Sequence, residues 1–426
     1  MLIAASRIIP AGRGKRGAAA ILAPGYVASE AGKITVIGAG PPPRRPDVEL
    51  TEGFLVPGFV DLQVNGYFGV ELAAADASGW ATVSRRLPET GTTAFLPTFI
   101  TAPVEVTIAA LRRAAGFAPA LAAPGLAAAP AQAAPGLAAA PAQAARGPAA
   151  PGRADSGRPG ARVLGVHLEG PFIARSRRGA HNPAWIRTPD PATIDSLLAA
   201  GSGLVRLVTL APEVDGAMAA IKQLTGAGVV VSVGHSDATA RQVSAAAMYG
   251  AAMVTHLFNA QRGLHHREPG VVGQALADNR LTSSLIADLH HVSGQVAALA
   301  FRAAPGRICL VTDAASCAGM PQGRYVLGRE PIELAEGDGT PPVRADGTLA
   351  GSALRMDSAV ANMVALGIGL PDAVTAATRI PADLIGRTDL GAIAPAAAAD
   401  LTWLSDDLRS VATWVAGQQV WGPALD

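Results

Sequence analysis

Eight short apolar runs, rich in β-branched residues and each carrying a polar residue at or near its end, alternate with helical stretches, and this pattern predicts a (β/α)8 barrel. Strand-like segments at the two chain ends add a small β domain beside it. An open doubly wound sheet is the alternative topology for the same pattern. The runs are GFVDLQVNG, TTAFLPTFIT, RVLGVHLEGP, LVRLVTLAPE, GVVVSVGHS, AMVTHLFNA, LTSSLIADLHH and RICLVTDAA.

The N-terminal end contains GKITVIGAG, a strand and turn, and the C-terminal end contains ADLTWLSDDLRSVATWVAGQQVWG. We place this small β domain at residues 1–55 and 386–426 and the barrel at 56–385. Residues 117–160 are expected to be a flexible, low-complexity insert. Within them APGLAAAPAQA occurs twice in succession, with proline to break helix and little large apolar surface to bury.

The polar residues of the runs fall where a barrel would gather them. Asp61, Gln63 and Asn65 are on the first, Glu169 on the third and His235 on the fifth. His256 and Asn259 are on the sixth, Asp288 and His291 on the seventh, and Asp313 on the eighth. C-terminal strand ends of a barrel share one rim, where active sites form. All eight histidines lie between His167 and His291, a confinement that suggests a site.

Composition narrows the partners. A net charge of +1 argues against nucleic acid or an anionic membrane surface. Cys309 and Cys317 make no disulfide framework, so a reducing, cytoplasmic location is expected. The first residues do not read as a signal peptide, and no stretch reads as a membrane span.

Glu169, His235 and His256 offer the carboxylate and two imidazoles that a catalytic metal needs, with a position left open. Each alone also reads as a satisfied, hydrogen-bonded polar group. His167 shares its facing with Glu169 and would support it. Asp313 reads either as a general base beside the metal or as a helix N-cap. His181, in RGAHNPAW, reads either as a donor to a carbonyl or as an exposed loop residue. Arg267 suits phosphate, or an ion pair with Glu268. His265 and His266 read as loop or interface residues, and GSALRM as a turn where backbone approaches a ligand.

Taken together, PGFVDLQVNG, HLEGPFI, GAHNPA, VTLAPE, GHSDAT, THLFNAQRGLHHREPG, IADLHHVS, LVTDA and GSAL resemble the N-acetylglucosamine-6-phosphate deacetylases of the amidohydrolase superfamily. The resemblance covers nearly the whole chain except the insert and, more loosely, the ends. It implies a barrel with a small β-sandwich, usually as a homodimer. It implies that Glu169, His235 and His256 hold one divalent metal, with zinc suited to the ligands and iron or manganese as alternatives. Asp313 would be the acid/base and His181 would polarise the acetyl carbonyl. Ala180, Asn259 and Ala260 would line the sugar site. Arg267, reaching a neighbouring subunit's site, and His291 would bind the phosphate. Leu349, Ala350 and Gly351 match a further substrate-contacting turn. The expected reaction is hydrolysis of N-acetylglucosamine 6-phosphate, in amino-sugar catabolism and cell-wall sugar recycling. Gln63-Val64-Asn65 stands where many amidohydrolases carry His-x-His, which argues for one metal rather than two. IADLHHV departs from an expected Gly-Leu-His pattern. A different amidohydrolase and a non-catalytic sugar-phosphate sensor are the rival readings.

Overall fold

In the computed structural model the described residues are 1–12, 21–122, 159–337 and 339–425. Eight parallel strands form the central sheet: β1 (Phe59–Val64), β2 (Thr92–Ile100), β3 (Val166–Glu169), β4 (Val205–Leu210), β5 (Val230–Val233), β6 (Met253–Val254), β7 (Thr282–Ile286) and β8 (Ile308–Val311). Each lies within one of the eight apolar runs, and each pairs in parallel with the next from β1 to β8. The ring closes between β8 and β1. Asp313 N donates to Gln63 O at 2.9 Å, and Asn65 N donates to Ala314 O at 2.9 Å. The expected barrel is therefore the fold, and the doubly wound alternative is excluded.

The strands read as continuous apolar runs because both faces are covered. Every residue of β1, β3 and β8 is buried. Outside them pack α1 (Ala77–Arg86), α2 (Val104–Ala122), α3 (Pro191–Gly201), α4 (Ala217–Gly226), α5 (Ala240–Met248), α6 (Gly270–Ala277), α7 (Gly294–Ala303) and α8 (Met356–Ala365). The local signals are visible. Asp76 caps α1 by accepting from Gly79 N, Asp190 caps α3 with proline in its first turn, and Thr239 and Gln242 close a capping box on α5. The low-complexity stretch expected at 117–160 lies mostly outside the described residues; its first residues continue α2 to Ala122.

The chain ends build two four-stranded sheets. One runs Lys33–Ala39, Gly25–Glu30, Leu2–Ala5 and Val48–Leu50. The other runs Gln418–Trp421, Ser410–Val415, Leu401–Leu404 and Phe54–Pro57. Ile3, Ile8, Leu50, Leu55, Leu401 and Trp414 form their common core. A buried ion pair fastens this unit to the barrel where the chain enters β3. Arg162 holds Asp400 in a fork, Nε to Oδ2 at 2.8 Å and Nη2 to Oδ1 at 2.9 Å. Asp400 Oδ1 also accepts Ala416 N at 2.7 Å. Among the described residues no helix is long and apolar enough to cross a membrane.

Removing one member of a buried pair strands the other charge. Arg162→Ala should therefore lower unfolding free energy by about 3–5 kcal/mol in urea titration. The double variant Arg162→Leu/Asp400→Leu should recover part of that loss.

Candidate active site

The backbone aims the site before any side chain does. His235, His256 and Asp313 each follow their strand's last residue by two, and all three have left-handed φ, +47°, +29° and +53°. Non-glycine residues adopt this region at a cost of about 1–3 kcal/mol each, and such strain gathers at functional sites. Its effect here is to turn three strand ends inward over one point at the barrel mouth.

Glu169 is at the centre. Its Oε1 lies 3.1 Å from His235 Nε2 and 2.9 Å from His256 Nε2, and the two imidazole nitrogens are 3.2 Å apart. Ligand atoms at corners of a tetrahedron with bonds of about 2.0–2.1 Å stand about 3.3–3.4 Å apart. The three atoms thus already sit within a few tenths of an ångström of a metal-holding spacing. His235 Nδ1 faces the carbonyl of Arg177 at 2.9 Å. A carbonyl only accepts, so Nδ1 carries the proton and Nε2 presents a lone pair. His256 Nδ1 is buried with no partner among the described residues. Burial alone would raise the Glu169 carboxyl, but the two histidines beside it hold it well below the usual carboxylate range. The donor set fits a divalent cation.

His181 is the fourth member of the cluster. Its Nε2 is 3.9 Å from Glu169 Oε2, and its ligand atom groups with those of Glu169 and His235 within 4.8 Å. We nevertheless separate it from the ligands. The Thr101 amide, which can only donate, faces His181 Nδ1 at 3.4 Å, with Thr101 Oγ1 at 2.7 Å. That arrangement puts the proton on Nε2, a donor toward the cavity rather than a ligand. Burial, and then the charge of His235, push His181 down to about 3, so it stays neutral.

Asp313 Oδ1 accepts Asn65 Nδ2 at 2.7 Å. Burial and the charge of Glu169 push its carboxyl up to about 7. It caps no helix: α8 begins only at Met356. Gly351 (φ +66°) packs beside it, where an added Cβ would stand 2.9 Å from Asp313 O. Gln63 Nε2 donates to Glu169 Oε1 at 3.1 Å. Gln63 Oε1 and Asn65 Oδ1 are buried with no partner among the described residues. Asp61, on the same strand face, sits deeper. It accepts Thr312 Oγ1 at 2.5 Å, and burial pushes it up to about 7.

These groups open into a cavity of about 300 Å³. Asn65, Glu169, Ala180, His181, His235, His256, Asn259, Ala260, His291, Asp313, Leu349 and Gly351 line it, as the sequence suggested. Ala350 is fully buried behind that wall. His291 Nδ1 pairs with Asp288 Oδ2 at 2.6 Å. Arg267, with His265 and His266, is exposed on the loop after β6 and does not line the cavity of its own chain. The sequence reading missed Arg177, Ser176, Gly179 and Thr348, which also line it. It also missed a hairpin, Gly323–Leu327 with Glu330–Leu334, that places Leu327 on the wall. Arg177 and Gly179 share the loop of His181, and that proximity was the available signal.

A profile of the Amidohydrolase family matches residues 54–420. The chain belongs to the amidohydrolase family. It is 37% identical to an N-acetylglucosamine-6-phosphate deacetylase of Bos taurus, over 86% of this chain and 83% of the relative. It is 36% identical to an N-acetylgalactosamine-6-phosphate deacetylase of Escherichia coli O157:H7, over 85% and 87% of the two chains. An N-acetyl-D-glucosamine-6-phosphate deacetylase of Mycobacterium smegmatis, solved in complex with N-acetyl-D-glucosamine-6-phosphate, superposes with a TM-score of 0.84 at 33% identity, covering 99% of each chain. The resemblance read from the motifs holds.

Metal-free protein dialysed against a divalent cation should retain one equivalent per chain. Glu169→Ala and His256→Ala should each abolish retention, as read by elemental analysis. Undiminished retention in both would place the cation elsewhere.

Proposed function

We propose that the chain hydrolyses the N-acetyl group of N-acetyl-D-glucosamine 6-phosphate, giving D-glucosamine 6-phosphate and acetate in amino-sugar catabolism and cell-wall sugar recycling. One observation carries this reading. Glu169, His235 and His256 converge at one end of a cavity that Asp313 and His181 also line.

Glu169, His235 and His256 would hold one divalent cation, with Zn2+ best suited to two imidazoles and a carboxylate, and Fe2+ or Mn2+ as alternatives. When bound, such a cation supplies Lewis acidity that favours attack by water at neutral pH. The protein groups do the rest. Asp313, whose Oδ1 accepts a hydrogen bond from Asn65 Nδ2, takes a proton from the attacking water. His181 Nε2–H donates to the acetyl oxygen as charge develops on it. Asp313 then returns the proton to the sugar nitrogen, and the C–N bond breaks. Ala180, Asn259, Ala260, Leu349, Ala350 and Gly351 shape the sugar site. His291, and Arg267 from a neighbouring subunit, hold the phosphate, so that remote binding energy orients the amide. The enzyme would work in the cytoplasm.

A second reading, the galacto epimer of the same substrate, is favoured by the 36% identical Escherichia coli relative.

Asp313→Asn should lower kcat by about 10²–10⁴-fold, measured as acetate release. His181→Asn should lower it about 10²–10³-fold. A panel of both epimers, with and without the 6-phosphate, tests the substrate. The reading predicts the highest kcat/KM for the gluco epimer bearing phosphate, and a loss of activity without it. Equal rates on unphosphorylated sugar would contradict it.

A further inference from the structure

We propose that Asp237 is a positioning residue for His235, locking together the three rim loops that carry Glu169, His235 and His256. The proposal rests on the metal reading above, since it concerns how well that trio is held.

Three charged residues lie on the loops that leave the three strands whose ends present Glu169, His235 and His256. Arg177 follows β3, Asp237 follows β5 and Arg262 follows β6. One carboxylate joins them. Asp237 Oδ1 accepts Arg177 Nε at 2.9 Å and Nη2 at 2.7 Å, and Asp237 Oδ2 accepts Arg262 Nη2 at 2.9 Å. Asp237 is itself anchored: Glu213 accepts both its backbone N–H and the Ser236 hydroxyl, the latter at 2.7 Å. Arg262 N donates to Ser236 O at 3.0 Å, fastening the third loop a second time.

The connection to the site is one carbonyl. The oxygen that accepts the His235 Nδ1 proton belongs to Arg177, the residue whose side chain Asp237 grips. The same loop holds His235 elsewhere. Ala174 N donates to His235 O at 2.9 Å, and a Cβ on Gly179 would stand 3.2 Å from His235 Cε1. If the Arg177 carbonyl drifts, Nδ1 loses its acceptor, and the tautomer with a protonated Nε2, which cannot ligate, becomes competitive. Groups that orient a ligating imidazole in this way are worth about 10–100-fold in metal affinity.

A global stability role does not account for the arrangement. Arg177 and Asp237 side chains are 38% and 33% exposed, and ion pairs that open to solvent add little to folding. What the clamp does uniquely is fix three loops around the point where the cation would sit.

The test uses the full chain and Zn2+ as probe, with affinity read by competition against a chromophoric chelator and stability by urea titration. Asp237→Ala should bind Zn2+ about 10–100-fold more weakly than wild type. Asp237→Asn, which keeps an acceptor but not the charge, should fall between. At saturating Zn2+ the Asp237→Ala kcat should return to within about threefold of wild type, because no reacting group is lost. Asp278→Ala, which breaks the separate Asp278–Arg280 pair, should leave Zn2+ affinity unaltered. The proposal is overturned if Asp237→Ala binds within twofold of wild type, or if Asp278→Ala weakens binding equally. Should Asp237→Ala fail to fold, Arg262→Ala removes only the outer arm and should weaken Zn2+ severalfold; unchanged affinity there also overturns it. His235→Ala separates the two readings. Tight Zn2+ binding by that variant refutes the metal site, and the clamp with it. Lost binding by His235→Ala beside intact binding by Asp237→Ala refutes the clamp alone.

Discussion

Two imidazole nitrogens and one carboxylate oxygen stand within 3.2 Å of one another in a buried pocket, and the rest of the site is arranged around that crowding. Bringing such groups together is costly unless a positive charge joins them. Without a cation, a shared proton serves: Glu169 is held as a carboxylate, and His256 is raised against its burial chiefly by its hydrogen bond to Glu169. A divalent ion serves the same need with more charge. The left-handed backbone at His235, His256 and Asp313 is the local cost of aiming three strand ends at one point.

Support for the trio comes from beneath as well as from the side. One layer down the barrel, His167 Nε2 meets Thr209 Oγ1 at 2.8 Å. Thr209 Oγ1 meets Thr255 Oγ1 at 2.7 Å, which meets Ser232 Oγ at 2.6 Å. This chain crosses β3 to β6 and lies directly below the residues that carry Glu169, His235 and His256. Burial pushes His167 down to about 4, so it is a neutral partner rather than a competing charge. Polar networks in a low-dielectric interior rigidify when every member is satisfied.

Much of this was legible in the sequence because parallel strands covered on both faces leave unbroken apolar runs. All eight runs held strands, and the residues closing them, Glu169, His235, His256 and Asp313, met at the mouth because strand ends must. Period-two alternation also placed His167 under Glu169. Depth was less legible. Asp61, Gln63 and Asn65 share one face, yet only Asn65 reaches the cavity, Gln63 supports Glu169, and Asp61 lies with Thr312 in the interior. What escaped entirely was written in the backbone. The Arg177 carbonyl that fixes the His235 tautomer has no side-chain signature, and the short hairpin at 323–334 alternates too briefly to stand out. The capping role open to Asp313 was settled by distance, since its helix starts far downstream at Met356.

The most direct measurement is anomalous diffraction at the zinc absorption edge from crystals of the full chain grown with Zn2+. The account predicts one strong peak per chain, about 2.0–2.2 Å from Glu169 Oε1, His235 Nε2 and His256 Nε2, with Asp313 facing the open side. A peak bonded to other residues, or none at this trio in a zinc-replete crystal, would contradict it.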